Sequence, residues 1–445
     1  MVDDRLSNKT SEEMDLFLKR LFPVCRSITG KGNRKTLKIL QEIIPLEIKE
    51  YPSGTPVYDW VIPKEWNIRD AFIKDENGSR IVDFHQSNLH VVSYSLPIKK
   101  KISFEDLKQK IHYLEDLPKA IPYRTTYYHE NWGFCVTKAQ LDKLANAVGE
   151  LEVCIDSSLD ENGSLTVGEL LIPGRTSKEI LISTYFCHPS LANDNLSGTI
   201  MTAFLARELL MKADLNYSYR IIFVPETIGA IAYCAMNESV MKNIDQALVV
   251  TGVAGPGKFG YKQCYEIDHP INYYIEEVFQ ENSIDFVTYP FDIHGSDERQ
   301  YSSQGFRINT ASLTKDKYYE YEYYHSSLDD LEFVDSEYMA KTLDLHVQLL
   351  DKLDRNILFK NKVDHCEVML SKHDIYPKTG GDLLPEGEMS ALDIRLWLLF
   401  LCDGKTFLYE VSKRLKVPIE TIYQEAKILS DLGVLERIEA KQAIQ

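Results

Sequence analysis

The chain reads as an α/β protein built on a mostly parallel central sheet. Three observations predict this. Short, β-rich apolar runs recur from about residue 150 onward, they alternate with helix-like segments, and each opens into a loop before the next helix. Strands alternating with helices imply a sheet of parallel strands covered on both faces.

The elements follow in order. Residues 11–46 are helical, with Met14, Leu16, Phe17, Leu18 and Leu21 at helical spacing and a second helical stretch from Asn33 to Ile44. From Tyr51 to about Tyr128 the texture changes to short Val/Ile/Tyr/Trp-rich runs punctuated by Pro and Gly, which predicts a β-rich insert. Asn77-Gly78 between Ala71–Lys74 and Arg80–Asp83 predicts a type I′ hairpin. Strands follow at 150–156, 165–173, 179–186, 219–224 and 246–250, and helices at about 196–212, 227–240, 270–282 and 334–357. After Lys372, Tyr376–Gly381 reads as a linker. The tail then has helical pieces at 388–401, 406–415 and 419–432, with Thr406 and Pro418 where helix starts are expected. Three short helices ending in a β-turn outline a winged helix-turn-helix. The domain boundaries expected are 1–47 with 140–370, an insert at 48–139, and a tail at 376–445.

A chain of 445 residues exceeds one hydrophobic core, and 44% hydrophobic with 26% charged residues suits a soluble globular protein. Met1–Thr10 has no secretory apolar region and the run Leu396–Cys402 is too short to span a bilayer, so the expectation is a cytoplasmic protein without membrane partners. None of the eight cysteines forms a C-x-x-C pair, which argues against a zinc ribbon or a disulfide framework. A net charge of −17 disfavours nucleic acid as a partner, and the segment 385–445, with eight basic and ten acidic residues, is not the basic face of a DNA reader.

The chemistry concentrates at strand ends. The run Glu179–Phe186 opens into Cys187-His188-Pro189 and then Asn193-Asp194-Asn195, and in an open α/β sheet ligands bind beyond the carboxyl ends of strands. A neutral imidazole and a carboxylate delivered there suit a borderline metal. Glu226 follows the next strand, Ser296-Asp297-Glu298-Arg299 lies further on, and Tyr324-His325-Ser326 is followed by Asp329. Asp297 and Arg299 are read as an ion pair that still lines a pocket. Cys187, at the end of a buried strand, is read as a packing residue.

This ordered set resembles the zinc aminopeptidase superfamily, which includes leucine aminopeptidases and glutamate carboxypeptidases. His188 matches its first histidine, Asp194-Asn195 its bridging aspartate, Glu226-x-x-Gly229 its glutamate, and Tyr324-His325-Ser326 its last histidine. More narrowly, the chain is similar to a bacterial aminopeptidase-like family with a β insert and a C-terminal winged helix. That match rests on Tyr51–Trp60, His188–Gly198 and Gly295–Tyr301. The resemblance implies a phosphorylase/hydrolase-like zinc peptidase sandwich, with 1–47 and 140–370 as the peptidase-like domain, and a cis peptide bond after Asp194.

Two positions depart from the superfamily. Thr227 stands where it has a second glutamate, and Thr251 where it has a further aspartate. The remaining ligands His188, Asp194 and His325 imply one zinc per chain. The resemblance makes Glu226 the catalytic acid/base for hydrolysis of a peptide or other amide. Asp329 would orient His325, and Asp297, Arg299 and Tyr324 would meet substrate. Rival readings are a catalytically silent metal-binding scaffold, a ligand-sensing regulator, and an amidase acting on an acylated sugar in polysaccharide biosynthesis. The insert and the winged helix are candidate contacts for a homo-oligomer.

Overall fold

The computed structural model describes residues 4–379 and 389–438, which group into two compact units. The first runs to Val347, apart from 174–176 and 214–217, which belong to the second together with the chain from Gln348.

At the centre of the first unit lies an eight-stranded sheet. Along the chain its strands are β1 (Glu47–Pro52), β2 (Ser164–Ile172), β3 (Glu179–Tyr185), β4 (Ser218–Val224), β5 (Ile244–Val249), β6 (Phe259–Lys262), β7 (Phe286–Tyr289) and β8 (Asn309–Thr314). Their spatial order is β1-β2-β4-β3-β5-β8-β6-β7. β4, β3, β5 and β8 are mutually parallel, as are β6 and β7. The pairs β1–β2, β2–β4 and β6–β8 are antiparallel. The sheet is therefore mixed rather than mostly parallel. Strands joined through a helix (Gly198–Met211, Ile228–Met236 or Pro270–Glu281) run the same way, as a crossover requires. β3 and β4 are buried along their whole length, which explains their unbroken apolar texture.

The strand expected at 150–156 exists as Leu151–Asp160 but does not join the central sheet. It pairs antiparallel with Glu65–Lys74 and Ile98–Ile102, and Arg80–Asp83 completes a four-stranded sheet. Its side chains alternate between buried and half-buried, the mark of an antiparallel strand with one face on a core. The hairpin Glu65–Lys74/Arg80–Asp83 forms, but not through a type I′ turn. Asp75 Oδ1 accepts from the amides of Asn77 and Ser79, making a longer loop in which Gly78 but not Asn77 has positive φ. β6, β7 and β8 are further strands that the sequence pattern did not reveal.

In the second unit Leu358–Asn361 is the middle strand of a three-stranded antiparallel sheet, flanked by Asp403–Phe407 and Leu435–Ile438. Helices Ala391–Leu401, Leu408–Leu415 and Ile419–Asp431 accompany it, the first opened by a Ser390/Asp393 capping box. Thr406 lies in a strand rather than at a helix start. The linker expected at Tyr376–Gly381 lies partly outside the described residues. Among those residues no helix is long and apolar enough to cross a membrane.

Candidate metal and catalytic site

Four parallel strands end on one edge of the sheet, and the candidate residues leave from there. His188 follows β3, Glu226 follows β4, Thr251 follows β5, and His325 lies in the long loop after β8. This is the crevice where an open α/β sheet presents ligands.

His188 is 5% exposed. Burial lowers its imidazole to about 4, so the ring is neutral and has a lone pair to give at neutral pH. Arg26, itself buried, donates from Nε to the His188 carbonyl at 3.0 Å and from Nη1 to Leu21 O at 2.8 Å, fixing the start of the loop.

Asp194 is held from behind. The carboxylate of Asp329 accepts from the amides of Asn193 (2.6 Å) and Asp194 (2.9 Å) and from the Tyr321 hydroxyl (2.9 Å). Asp329 thus shapes the loop that carries Asp194, and these are the bonds its two oxygens make, rather than one to the His325 ring. The Asn195 amide group donates to Tyr185 O, Val250 O and Thr184 Oγ1, anchoring the next residue between β3 and β5. The Asp194–Asn195 peptide bond is cis. Asp194 Oδ1 accepts from Tyr185 Oη at 2.5 Å, and Tyr185 is bonded in turn to Thr251 Oγ1 at 2.7 Å. Burial pushes the Asp194 carboxyl up, but His188, His325 and the Tyr185 hydroxyl more than offset this and hold it at about 2.

His325 has φ +54, a left-handed backbone that turns its ring inward. Tyr324 stacks on that ring at 3.9 Å and 14°, and Tyr123 meets it edge-on at 5.1 Å. Tyr123 also donates its amide to the His325 carbonyl at 2.8 Å.

One ligand atom from each of His188, Asp194 and His325 lies within 4.8 Å of the others. His325 Nε2 and Asp194 Oδ2 are 3.1 Å apart, yet among the described residues neither makes a hydrogen bond of acceptable geometry, and both atoms are buried. Two unsatisfied atoms aimed at a common point, beside a neutral imidazole, fit a shared cation better than each other. Two imidazoles and a carboxylate are a donor set that would suit a borderline divalent ion.

Glu226 faces the triad, with Oε2 3.8 Å from His188 Nε2 and Oε1 accepting from Ser296 Oγ at 2.9 Å. Burial pushes its carboxyl well above the ordinary range, and Asp297 and Asp194 push it further. Asp297 is fully buried. It accepts from the Thr227 amide at 2.8 Å, its other oxygen has no hydrogen-bond partner among the described residues, and burial raises it to about 7. Arg299 makes no ion pair with it among the described residues. It is exposed and donates to Ile293 O and Thr227 Oγ1, because the turn at 297–301 sends it outward. Cys187 is buried in the apolar cluster under the sheet edge, and burial keeps its thiol protonated.

Beside this group opens a cavity of about 280 Å³ lined by His188, Glu226, Thr227 and His325 together with aromatic and apolar side chains. Asp297, Arg299 and Tyr324 do not line it. Tyr123, Tyr185 and Arg26 escaped sequence reading, since each acts through a partner more than 60 residues away or from inside an apolar strand. Tyr185 alone left a signal, as a hydroxyl at the end of β3.

Comparison with known proteins agrees with this architecture. Residues 16–356 match the model of a domain of unknown function, DUF4910. A Clostridium acetobutylicum protein, provisionally named a polysaccharide biosynthesis protein with aminopeptidase-like domain, is 39% identical over 426 residues, spanning 94% of this chain and 96% of its own. A crystal structure from the same organism, provisionally named a peptidase, superposes with a TM-score of 0.84 at 37% identity and covers 98% of each chain. A zinc aminopeptidase from Bacillus subtilis shares the fold at TM-score 0.56 and 12% identity, over 77% of this chain and 95% of its own. The match across most of the chain places this protein in the DUF4910 family.

Proposed function

We propose that the protein is a zinc-dependent hydrolase of amide bonds, of aminopeptidase type, with one zinc per chain on His188, Asp194 and His325. The observation that carries this reading is the convergence of those three side chains beside Glu226, the carboxyl group facing the same opening. The aminopeptidase-like fold of its relatives supports it.

Zinc held there would supply Lewis-acid polarisation of an amide carbonyl and would acidify water to a pKa of ~7. The chain does the rest. Glu226 takes the proton of the attacking water on Oε2 and returns it to the leaving nitrogen, a task suited to a carboxyl group whose proton affinity burial raises. Ser296 Oγ holds Oε1 and so aims the other oxygen. Asp329 and Tyr185 keep Asp194 in place. The second unit is read as a winged helix serving protein contacts, since its tail has no basic excess.

The test is metal analysis combined with a screen of aminoacyl and peptide amides. We expect one zinc per chain, lost in His188→Ala. Glu226→Gln should keep zinc and fold while losing about 10²–10⁴-fold in rate. Two tightly bound zincs would overturn the stoichiometry, and full activity in Glu226→Gln would overturn the mechanism.

A further inference from the structure

The cavity beside the triad has a wall that catalysis does not use. Trp60 lies on the short hairpin Pro56–Val57/Trp60–Val61, and Tyr123, Tyr127 and Tyr128 lie on the segment after Pro122. That segment is stitched to the His325 loop, through Tyr123 to His325 and Ile121 to Ser327, so the tyrosine wall is tied to the loop that carries His325.

The aromatic wall offers mainly carbon, because its tyrosine hydroxyls are already bonded, while Thr125 and Thr227 bring hydroxyls to the rest of the lining. Tyr123 and Tyr127 bond each other through their hydroxyls at 2.8 Å, and Tyr128 donates its hydroxyl to Val61 O. Ile28 and Ile228 add to the apolar lining, and Glu226 is the one carboxyl group among the lining residues. An acidic side chain seated against this wall would lie near Glu226 and find no lysine or arginine among the lining residues. Trp60 and Tyr128 meet edge to face at 5.4 Å yet stay 40% and 44% exposed. Large aromatic surface left open at a cavity mouth marks a binding surface. About 280 Å³ lies just below the ~300–1,000 Å³ of pockets that hold whole small ligands, so this one takes part of a substrate.

We infer that this cavity is a specificity pocket for one ring-sized apolar group carried next to the scissile amide, with Trp60 and Tyr128 as its selecting residues. The inference rests on the hydrolase reading, and the experiment separates the two. Full-length, zinc-loaded protein is assayed on the 4-nitroanilides of L-leucine, L-phenylalanine, L-alanine and L-glutamate. In parallel, calorimetry measures binding of L-phenylalaninamide, L-alaninamide and N-acetylglucosamine.

The expected result is a kcat/KM for leucine or phenylalanine at least about tenfold above that for alanine, with glutamate lowest. Trp60→Ala and Tyr128→Ala should each shrink that ratio, mainly by raising KM for the larger substrates. Hydrolysis that favours alanine or glutamate, or a preference unchanged in both variants, overturns the pocket and leaves the hydrolase intact. If no anilide is cleaved but L-phenylalaninamide binds more tightly than L-alaninamide, and Trp60→Ala removes the difference, the pocket stands and the hydrolase reading falls. Tighter binding of N-acetylglucosamine than of L-phenylalaninamide, lost in Trp60→Ala, would make this a sugar subsite and overturn the inference, as would no binding at all.

Discussion

Glu226 gains its character from its neighbours. Burial raises it first, Asp297 and Asp194 raise it further, and the Ser296 hydroxyl opposes them. A general base works deprotonated, so rate is lost as pH falls through its pKa, and the acid limb of kcat/KM should lie above the ~4.3 of a free glutamate. Two variants should move that limb in opposite directions. Asp297→Asn removes a charge that raises Glu226 and shifts the limb to lower pH, while Ser296→Ala removes a bond that favours the carboxylate and shifts it up. A limb unmoved by either change would mean that another group limits the rate. Tyr185→Phe tests the support of Asp194: losing its bond to Oδ1 should weaken zinc binding about 10–100-fold, read by competition with a chromophoric chelator. Unchanged affinity would make Tyr185 a packing residue. His188 and Asp194 stand out in the sequence because the turn that carries them follows an unmistakable apolar strand. Trp60 and Tyr123 do not, because their roles exist only once distant segments meet, and Tyr185 shows only as a hydroxyl at the end of an apolar strand.

The elements that sequence pattern revealed are those with one strong periodicity. β3 and β4 are uniform apolar runs, and the helix Ser336–Arg355 has a clear apolar stripe. β8 was hidden because Asn309–Thr314 is rich in Ser and Thr, although all six residues are buried. Its hydroxyls are satisfied locally: Ser312 donates to Val249 O, and Thr314 to Gly252 O. β6 and β7 are four residues each, too short to show a period. The small antiparallel sheet is tied to the N-terminal helix Lys31–Leu40 by Arg34, which donates both terminal nitrogens to Glu65 at 2.7–2.8 Å and Nε to Glu50 at 2.8 Å. The Arg34 bonds hold Glu65 at about 2 against the opposing effect of burial. A depressed carboxyl stabilises the fold above its unfolded pKa of ~4.3, and that share is lost as pH falls toward ~2. Glu65→Gln should therefore cost up to about 2–3 kcal/mol at pH 7 in urea unfolding, with the difference from the parent shrinking between pH 4 and 2. A difference constant with pH would assign the loss to packing instead.

For the molecule as a whole, the telling fact is where the three metal-site residues lie. His188 and Asp194 share one loop, whereas His325 is more than 130 positions along the chain, on a loop after a different strand. An unfolded chain cannot bring such residues together cheaply, so a zinc held as proposed would bind the native state and stabilise it by RT ln(1 + [L]/Kd), about 2.7 kcal/mol at a hundredfold excess over Kd. All three belong to the first compact unit, and chains with two units need not melt in a single step. Calorimetry of the full-length protein with and without a chelator should therefore show a transition that rises with zinc and another, from the second unit, that does not. His188→Ala should abolish the zinc-dependent rise while leaving the second transition where it was. Equal movement of both transitions with zinc would mean that the units unfold as one, and a zinc response surviving in His188→Ala would place the metal elsewhere.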